Sequence, residues 1–323
     1  MGGVVKLLSD TQKELFEKQG YLVVENVFDQ ETILDPVRAE YQVLLASLVD
    51  DWIAQGRIDK KLKDADFFAQ LEACYDAGCD WFQPMDISLP GERICADTPM
   101  HFGPAVFALL TAPKLLDIVE TLIGPEITSN PIQHVRLKPP ARKLYDDEVR
   151  AHIAHTDWHQ DRGVAHDEAD HTDMVTIWCA ITDATLENGC LQVLPKKADQ
   201  GLLPHCPKSQ TAIADGFIDM DRVVPLPVKS GGIVILDPLT AHASLENHTD
   251  SFRWSFDIRF NRTGQPTGRA HFPEFVARSK ADPEGVLTDW QAWRHSWEQA
   301  RSRLSTAPHI PIHRWQSDAP FCA

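Results

Sequence analysis

The stretch GGIVILDPLTAHASLENHTDSFRWSFDIRF, residues 231–260, contains two short apolar runs separated by turn-forming residues. Gly232–Leu236 and Phe252–Phe260 are rich in β-branched and aromatic side chains, which favour strands. The residues between them are mainly polar and include a proline, which favours loops. The stretch therefore predicts two short strands with no regular helix between them.

Further predicted strands of the same kind lie on the N-terminal side of this stretch. They are Ile132–Lys138, Ile153–His159, Met174–Ile181, Leu191–Leu194 and Val223–Val228. Short strands joined by loops suit two facing sheets better than a parallel sheet with crossover helices. We therefore predict a mainly β fold with flanking helices and a double-stranded β-helix (jelly-roll) core over residues 126–262.

The N-terminal region is predicted to support this core with helices. Ser9 or Asp10 can cap a first helix, which Gly20 ends, and a strand over Tyr21–Val27 follows. Asp29 can cap a longer helix whose apolar residues recur three and four positions apart. That spacing gives one buried stripe, which should pack on a sheet.

A long loop is predicted between these helices and the core. From Trp81 to Pro104, prolines and glycines recur and no period is sustained, and a helix over Pro113–Leu122 then ends at Gly124. Loops of this length are usually functional or disordered. We expect this loop, together with the acidic residues Asp146–Glu148, to be a mobile lid beside the functional site.

The C-terminal residues 263–323 predict a turn-rich linker and a helix near residues 288–303. Trp290, Trp293 and Trp297 share one stripe of that helix. Such a stripe favours docking onto the same chain, with a dimer contact as the alternative. We predict a single domain over residues 1–323, with residues 1–125 as support and lid, in a monomer or homodimer.

Composition excludes several classes of partner. The formal net charge is −16, and no run of lysine and arginine forms a patch for nucleic acid. No apolar run approaches the roughly 18 residues that a membrane span needs. We therefore expect a soluble cytoplasmic protein with neither a nucleic-acid nor a membrane partner.

The seven cysteines include no C-x-x-C pair. An odd number in a chain without a signal peptide argues against a disulfide framework. All are therefore predicted to be reduced thiols, and Cys74 and Cys79 are predicted to be packing residues and not zinc ligands.

Two His-x-Asp units stand in AHTDWHQDR, residues 154–162. They are His155 with Asp157, and His159 with Asp161. Residues two apart on a strand point to the same face, so either unit could offer an imidazole and a carboxylate to one metal ion. Both units cannot serve the same ion.

A third ligand is available at His242, on a later segment. Two histidines and one carboxylate on one face of an octahedron leave three open positions, as in oxygen-activating non-haem iron(II) enzymes. Arg253 follows His242 by eleven residues. Its planar guanidinium suits a bidentate clamp on the distal carboxylate of 2-oxoglutarate, whose keto-acid end would chelate the iron.

Several segments together resemble the phytanoyl-CoA dioxygenase family. They are TQKELFEKQGYLVVENVF (11–28), WHQDRG (158–163), ENGCLQVLP (187–195), the run 231–242 and SFRWSFDIRF (251–260). The resemblance covers roughly residues 8–262. It implies a dioxygenase that uses Fe(II), 2-oxoglutarate and O2 to oxidise a small organic substrate, releasing succinate and CO2.

The resemblance also implies roles for individual residues. The metal ligands would be His159, Asp161 and His242. The cosubstrate contacts would be Arg253, Ser244, Thr176 or Trp178, and Gln133 or Lys138. The turn LPKKADQG (194–201) departs from the family's Pro-Gly-Ser-His-like turn, so no contact is carried over to it. Related halogenases lack the carboxylate ligand, so Asp161 favours hydroxylation or a related oxidation.

Alternatives remain at this stage. His155 and Asp157 could be solvated or lie outside the metal shell, and Arg259 is the second choice for the carboxylate clamp. The other histidines, His205 among them, are predicted to be surface or packing residues. A cupin-like isomerase or binding module that holds a metal without 2-oxoglutarate is the alternative function, and Arg253 argues against it.

Overall fold

The computed structural model describes residues 8–145, 148, 153–207, 211–214, 216–312, 314–315 and 320–322. The helices are α1 (Asp10–Gln19), α2 (Asp35–Ala54), α3 (Phe67–Asp76), α4 (Phe82–Met85), α5 (Pro104–Leu110), α6 (Pro113–Ile123), α7 (Asp161–Val164) and α8 (Trp290–Leu304). The strands are β1 (Tyr21–Val24), β2 (Ile127–Lys138), β3 (Met174–Ala180), β4 (Leu191–Leu194), β5 (His205–Pro207), β6 (Thr211–Ile213), β7 (Val224–Leu226), β8 (Ile233–Leu236), β9 (Ala241–Ser244), β10 (Arg253–Arg262) and β11 (Phe275–Arg278).

Two antiparallel sheets organise the core. The major sheet has the order β1-β8-β3-β10-β2-β11, and the minor sheet has the order β7-β4-β9. An isolated antiparallel bridge between His159 and His242 adds the segment before α7 to the edge of the minor sheet. The predicted mainly β fold with flanking helices is confirmed.

Strand alternation gives the major sheet two different faces. On β10, Trp254, Phe256, Ile258 and Phe260 are buried in the large apolar core that includes the helices. The alternate residues of β10 belong to the opposite face. A smaller apolar cluster joins that face to the minor sheet through Trp178, Leu191, Val193, Leu226, Val234 and Leu236. The side chains between the sheets therefore form a second interior.

The N-terminal predictions are confirmed in type and nearly in length. Ser9 caps α1 with a capping box, and Gly20 ends it with a φ of 82°, a left-handed conformation that glycine adopts without strain. Asp29 caps a π-helical turn, Gln30–Leu34, which leads into α2. The predicted strand over Tyr21–Val27 ends earlier, at Val24.

The aromatic stripe of α8 docks onto the same chain, as predicted. Trp293 and Trp297 are buried, and both rings contact Phe102 with centroids 4.8 Å apart. Phe102 belongs to the predicted Trp81–Pro104 loop, which contains the short helix α4. This contact joins the C-terminal helix to that loop.

Two predictions are wrong. Ile153–His159 is not a strand: His159 forms an isolated bridge with His242, and the carbonyls of Thr156 and Trp158 accept single hydrogen bonds from Ser244 and Ile213. Cys206 and Cys322 are not free thiols but form a disulfide across 116 residues of sequence. Their spacing could not reveal the pair, because only the folded chain brings the two residues together. The strand β9, which carries His242, was not predicted.

No helix in the described part of the chain is both long and apolar enough to cross a bilayer.

Candidate metal centre

The residues His159, Asp161 and His242 converge between the two sheets. His242 lies on β9, His159 pairs with it across the isolated bridge, and Asp161 is the first residue of α7. Asp161 Oδ1 lies 3.7 Å from His159 Nε2, and Asp161 Oδ2 lies 3.9 Å from His242 Nε2. One ligand atom from each residue lies within 4.8 Å of the others, and all three residues are buried. This geometry can hold one metal ion.

Backbone contacts set the tautomer of both imidazoles. Nδ1 of His159 lies 2.8 Å from the Asp157 carbonyl oxygen, and Nδ1 of His242 lies 3.0 Å from the Thr240 carbonyl oxygen. A carbonyl only accepts, so each Nδ1 carries the hydrogen and each Nε2 keeps its lone pair for a metal. Burial, followed by the nearby His242, lowers the pKa of His159 to about 3, which keeps it neutral at neutral pH.

The carboxylate of Asp161 has one occupied oxygen and one free oxygen. Arg259 Nη2 donates to Oδ1, whereas Oδ2 is buried without a hydrogen-bond partner among the described residues. Burial raises the pKa of Asp161, but the charge of the neighbouring Arg259 outweighs it and lowers the pKa below its usual value. A buried, ionised oxygen without a partner is costly. A bound cation would satisfy it, so the residues fit a metal ion.

Arg259 is committed to this carboxylate and to the backbone. Its Nη1 donates to the Ile132 carbonyl at 2.9 Å, and the side chain is buried. The guanidinium therefore orients Asp161. As the second choice for the cosubstrate clamp, Arg259 is less suitable than Arg253.

The competing unit, His155 with Asp157, lies apart from the triad. The two side chains are 3.3 Å apart, and the His155 side chain is 50% exposed. A hydrogen bond to Asp157 raises the pKa of His155, the opposite of the change at His159. The structure thus brings together the second His-x-Asp unit with His242, and leaves the first near solvent.

Arg253 is a buried cation without a carboxylate partner in the described part of the chain. It is 1% exposed, its guanidinium lies 5.0 Å from the centroid of the Trp178 ring, and its Nη1 donates to Ser255 Oγ at 3.2 Å. Burial, followed by the charge of Arg136, lowers the pKa of Arg253 to about 9, so it stays charged at neutral pH. A buried unpaired charge favours binding of an anion.

Ser244 and Lys138 lie beside this cation. Lys138 Nζ donates to Ser244 Oγ at 2.6 Å and to the Leu245 carbonyl at 2.7 Å. Burial, followed by the charge of Arg253, lowers the pKa of Lys138 well below its usual value. The small cavity here is lined by Arg136, Thr156, His159, Trp178, Leu191, Leu236, His242, Ser244, Arg253 and Asp257. The two histidines of the metal triad, Ser244 and Arg253 therefore line one cavity.

The remaining predicted contacts fall in different places. Thr176 Oγ1 and Trp178 Nε1 are buried without a hydrogen-bond partner among the described residues. Gln133 does not join the cluster, because its amide donates to the Ile87 carbonyl at 2.9 Å. Gln133 lies where the pairing of β2 with β10 is irregular, between the His134–Asp257 and Asn130–Arg259 pairs.

The predicted lid loop is anchored to β2 near the site. Asp86 accepts a hydrogen bond from the Val135 amide at 2.9 Å, and its other oxygen lies 2.9 Å from His134 Nδ1. Asp146 and Asp147, the acidic part of the predicted lid, lie outside the described residues. Mobility of the loop stays a prediction.

Two residues that pack behind the metal triad, His205 and Gly163, were not predicted to contribute to the site. The backbone amide of Gln160 donates to His205 Nε2 at 3.0 Å. Burial lowers the pKa of His205 to about 4. A Cβ at Gly163 would lie 2.6 Å from the His205 ring, so glycine is needed there for the close approach. His205 had been predicted to be a surface or packing residue. The glycine of WHQDRG was the one local signal that something packs against this turn.

A buried ion pair also escaped prediction. Arg136 Nη2 lies 2.8 Å from Asp257 Oδ2, on neighbouring strands that face the cavity. Both residues line the cavity together with His159 and His242. The pair adds two opposite charges to the interior without changing its net charge.

Comparisons with solved structures identify the fold. Of solved structures, the chain is similar to the apo form of the non-heme monooxygenase ThoJ, with a TM-score of 0.58, 19% identity, and coverage of 90% of this chain and 95% of that one. It is also similar to EctD from S. alaskensis, solved with 2-oxoglutarate and 5-hydroxyectoine, with a TM-score of 0.51, 17% identity, and coverage of 82% and 80%. At these identities the likeness shows a shared fold.

Sequence relatives point to one family. Phytanoyl-CoA dioxygenase domain-containing protein 1 of Mus musculus is 24% identical over 82% of this chain and 98% of its own length. A probable phytanoyl-CoA dioxygenase of Caenorhabditis elegans is 26% identical over 79% of this chain and 75% of its own length. The profile of the phytanoyl-CoA dioxygenase family matches residues 16–255. The chain therefore belongs to the phytanoyl-CoA dioxygenase family.

Proposed function

We propose that this protein is an iron(II)- and 2-oxoglutarate-dependent dioxygenase that hydroxylates or otherwise oxidises a small organic substrate. The observation that carries the proposal is a pair of incomplete charge groups beside one cavity, which His159, His242 and Arg253 line. Among the described residues, Asp161 Oδ2 has no hydrogen-bond partner beside the two imidazoles, and the buried guanidinium of Arg253 has no carboxylate partner. A metal ion and an anionic cosubstrate would complete both groups.

Three residues would hold the iron. His159 and His242 offer Nε2 because their Nδ1 hydrogens are bound to backbone carbonyls. Asp161 offers Oδ2 because Arg259 occupies Oδ1. When bound, iron(II) would supply the open coordination positions and the electrons for oxygen activation.

Arg253, Ser244 and Lys138 would hold the distal carboxylate of 2-oxoglutarate. The guanidinium provides a planar pair of donors. The amino group of Lys138 lies on the paired strand β2, and the hydroxyl of Ser244 lies on β9 of the minor sheet. Trp178 packs against the guanidinium and limits its rotation. We assign Thr176 and Trp178 to the lining of this site and leave out Gln133, which is bonded to Ile87.

The reaction balances with one molecule of each cosubstrate. A C–H bond of the substrate becomes C–OH, and 2-oxoglutarate loses CO2 to become succinate. One atom of O2 enters the new hydroxyl group and the other enters succinate. The chain's part is to orient the ligands and to keep the buried carboxylate ionised. The crystal structure of EctD with 2-oxoglutarate supports the proposed use of this cosubstrate by analogy of fold.

A cupin-like isomerase or binding module is not favoured. Such a protein needs a metal triad but has no use for a buried guanidinium in the same cavity. No feature of the described residues favours it over the oxygenase.

The test is oxygen-dependent release of succinate. Purified protein would be loaded anaerobically with iron(II), mixed with 2-oxoglutarate and a panel of small substrates, and exposed to oxygen. We expect succinate formation that stops without iron or oxygen and in the Asp161→Ala variant. Iron binding without any consumption of 2-oxoglutarate would favour the cupin-like alternative instead.

A further inference from the structure

The C-terminal segment packs against α7. Its described residues are 311–312, 314–315 and 320–322. Trp315 Nε1 donates to the Gly163 carbonyl at 2.7 Å, and Arg314 Nη2 donates to the Arg162 carbonyl at 3.2 Å. Because α7 has a single turn, its last carbonyls have no partners within the helix. The segment supplies those partners, and the first residue of the same helix is the ligand Asp161.

Trp315 also contacts the turn through His205. The two rings stack with centroids 5.0 Å apart and an interplanar angle of 22°. His205 Nε2 in turn accepts a hydrogen bond from the backbone amide of Gln160 at 3.0 Å. Gln160 lies between the ligands His159 and Asp161, so Trp315 supports the ligand turn from two sides.

The segment is fastened near both of its ends. The disulfide between Cys206 and Cys322 joins it to the residue next to His205, and His166 Nε2 lies 2.8 Å from the Pro311 carbonyl oxygen. Arg314 Nη1 also pairs with Asp170 at 2.8 Å. The family profile ends at residue 255, so this support comes from outside the matched region.

We propose that the C-terminal segment is part of the metal centre, with Trp315 as a positioning residue for the His159-Gln160-Asp161 turn and the Cys206–Cys322 bond as its fastening. Two of the three ligands lie on that turn, so its position decides how well the site is formed before an ion arrives. The inference rests on the metal site of the proposed function. It adds a dependence of metal affinity on residues that do not touch the ion.

The experiment is anaerobic titration of the metal-free protein with Co(II), whose visible absorption reports both affinity and coordination geometry. Trp315→Ala removes the indole donor and the stacking, Trp315→Phe keeps the stacking alone, and Cys322→Ser removes the fastening. Matched controls are Trp290→Ala on α8 and Cys95→Ser at an exposed free thiol. The thermal unfolding of every metal-free variant is measured in parallel.

We expect Trp315→Ala to raise the Co(II) dissociation constant about tenfold and to alter the absorption spectrum, in line with supports behind other metal sites. Trp315→Phe and Cys322→Ser should raise it by smaller factors, and the controls should match wild type. Wild-type affinity and spectrum in all three variants, with or without a lower melting temperature, would overturn the inference and leave a purely structural segment. Should Trp315→Ala fail to fold, the other two variants decide. Absence of Co(II) binding by wild type would overturn the proposed function itself.

Discussion

The two faces of β10 carry opposite chemistry at alternate positions. Trp254, Phe256, Ile258 and Phe260 are buried among the helices in the large apolar core. Arg253, Ser255, Asp257 and Arg259 are equally buried, yet every one of them is polar or charged. Burial alone therefore does not distinguish the two faces. The difference lies in whether the buried groups are satisfied by the chain itself.

The apolar face needs nothing beyond its own packing, whereas the polar face is incomplete. Arg259 is paired with Asp161 and Asp257 with Arg136, but Arg253 lacks a carboxylate among the described residues. Buried charges usually cost stability compared with apolar residues of similar size. Their presence on one face indicates that this face serves binding while the other serves folding.

The largest expected effect comes from removing Asp161. Asp161→Ala should abolish turnover and metal binding, and because it leaves Arg259 buried without its partner it should also cost about 3–5 kcal/mol of stability. Asp161→Ala combined with Arg259→Met should recover most of that stability and none of the metal binding. Chemical denaturation and Co(II) titration measure the two quantities separately. Full stability in the single variant would show that Arg259 does not depend on Asp161.

Removing an apolar side chain from the opposite face should lower stability without weakening metal binding. Phe256→Ala should lower the free energy of unfolding by about 3–5 kcal/mol, because it opens a cavity in the core. The Co(II) dissociation constant of the folded variant should match wild type, since Phe256 points away from the metal. A large loss of metal affinity at full folding would show that the two faces are not independent.

Arg253 should give a smaller, purely cosubstrate effect. Arg253→Lys keeps the charge but loses the planar fork, so the apparent 2-oxoglutarate constant should rise by roughly tenfold to a thousandfold. Arg253→Ala should raise it further, while iron affinity stays near wild type in both. Steady-state succinate formation at varied 2-oxoglutarate gives the constant. Equal constants in the three proteins would mean that the carboxylate is held elsewhere.

The smallest expected effect is a change in how stability depends on pH. His205 has its folded-state pKa lowered to about 4, so between about pH 6.5 and 4 the unfolded chain binds a proton there that the folded chain does not. Its contribution to stability is therefore present above this window and is lost as the pH falls through it. In metal-free protein, His205→Gln should reduce the slope of the unfolding free energy by about 1.4 kcal/mol per pH unit. Parallel slopes would show that His205 titrates normally in the fold.

Local patterns predicted the strands and the helices that flank them, because periodicity and capping residues act over a few positions. Met174–Ala180 and Leu191–Leu194 lie where expected, and the two segments named from their spacing bring His159 and His242 together. Asp161 lies beside His159 for a different reason from the predicted strand alternation. Asp161 begins a helical turn and is not two residues along a strand from His159.

Long-range contacts were not predictable from spacing. The Cys206–Cys322 bond, the stacking of Trp315 on His205 and the pairing of Arg259 with Asp161 each join residues about 100 or more positions apart. The resemblance implied Gln133 or Lys138 at the site, and the hydrogen bond from the Gln133 side chain to the carbonyl of Ile87, 46 residues away, was not predicted. Such contacts depend on how sheets and loops assemble, which no local pattern encodes.

We propose that the metal triad and Arg253 form one site for iron and a chelating keto acid. Anaerobic addition of 2-oxoglutarate to the iron(II)-loaded protein tests this proposal through the iron-to-keto-acid charge-transfer absorbance. We expect the band to appear in wild type, to need a higher 2-oxoglutarate concentration in Arg253→Ala, and to be missing in Asp161→Ala. Iron-loaded wild type that shows no band at saturating 2-oxoglutarate, or an Arg253→Ala variant with the wild-type midpoint, would contradict it.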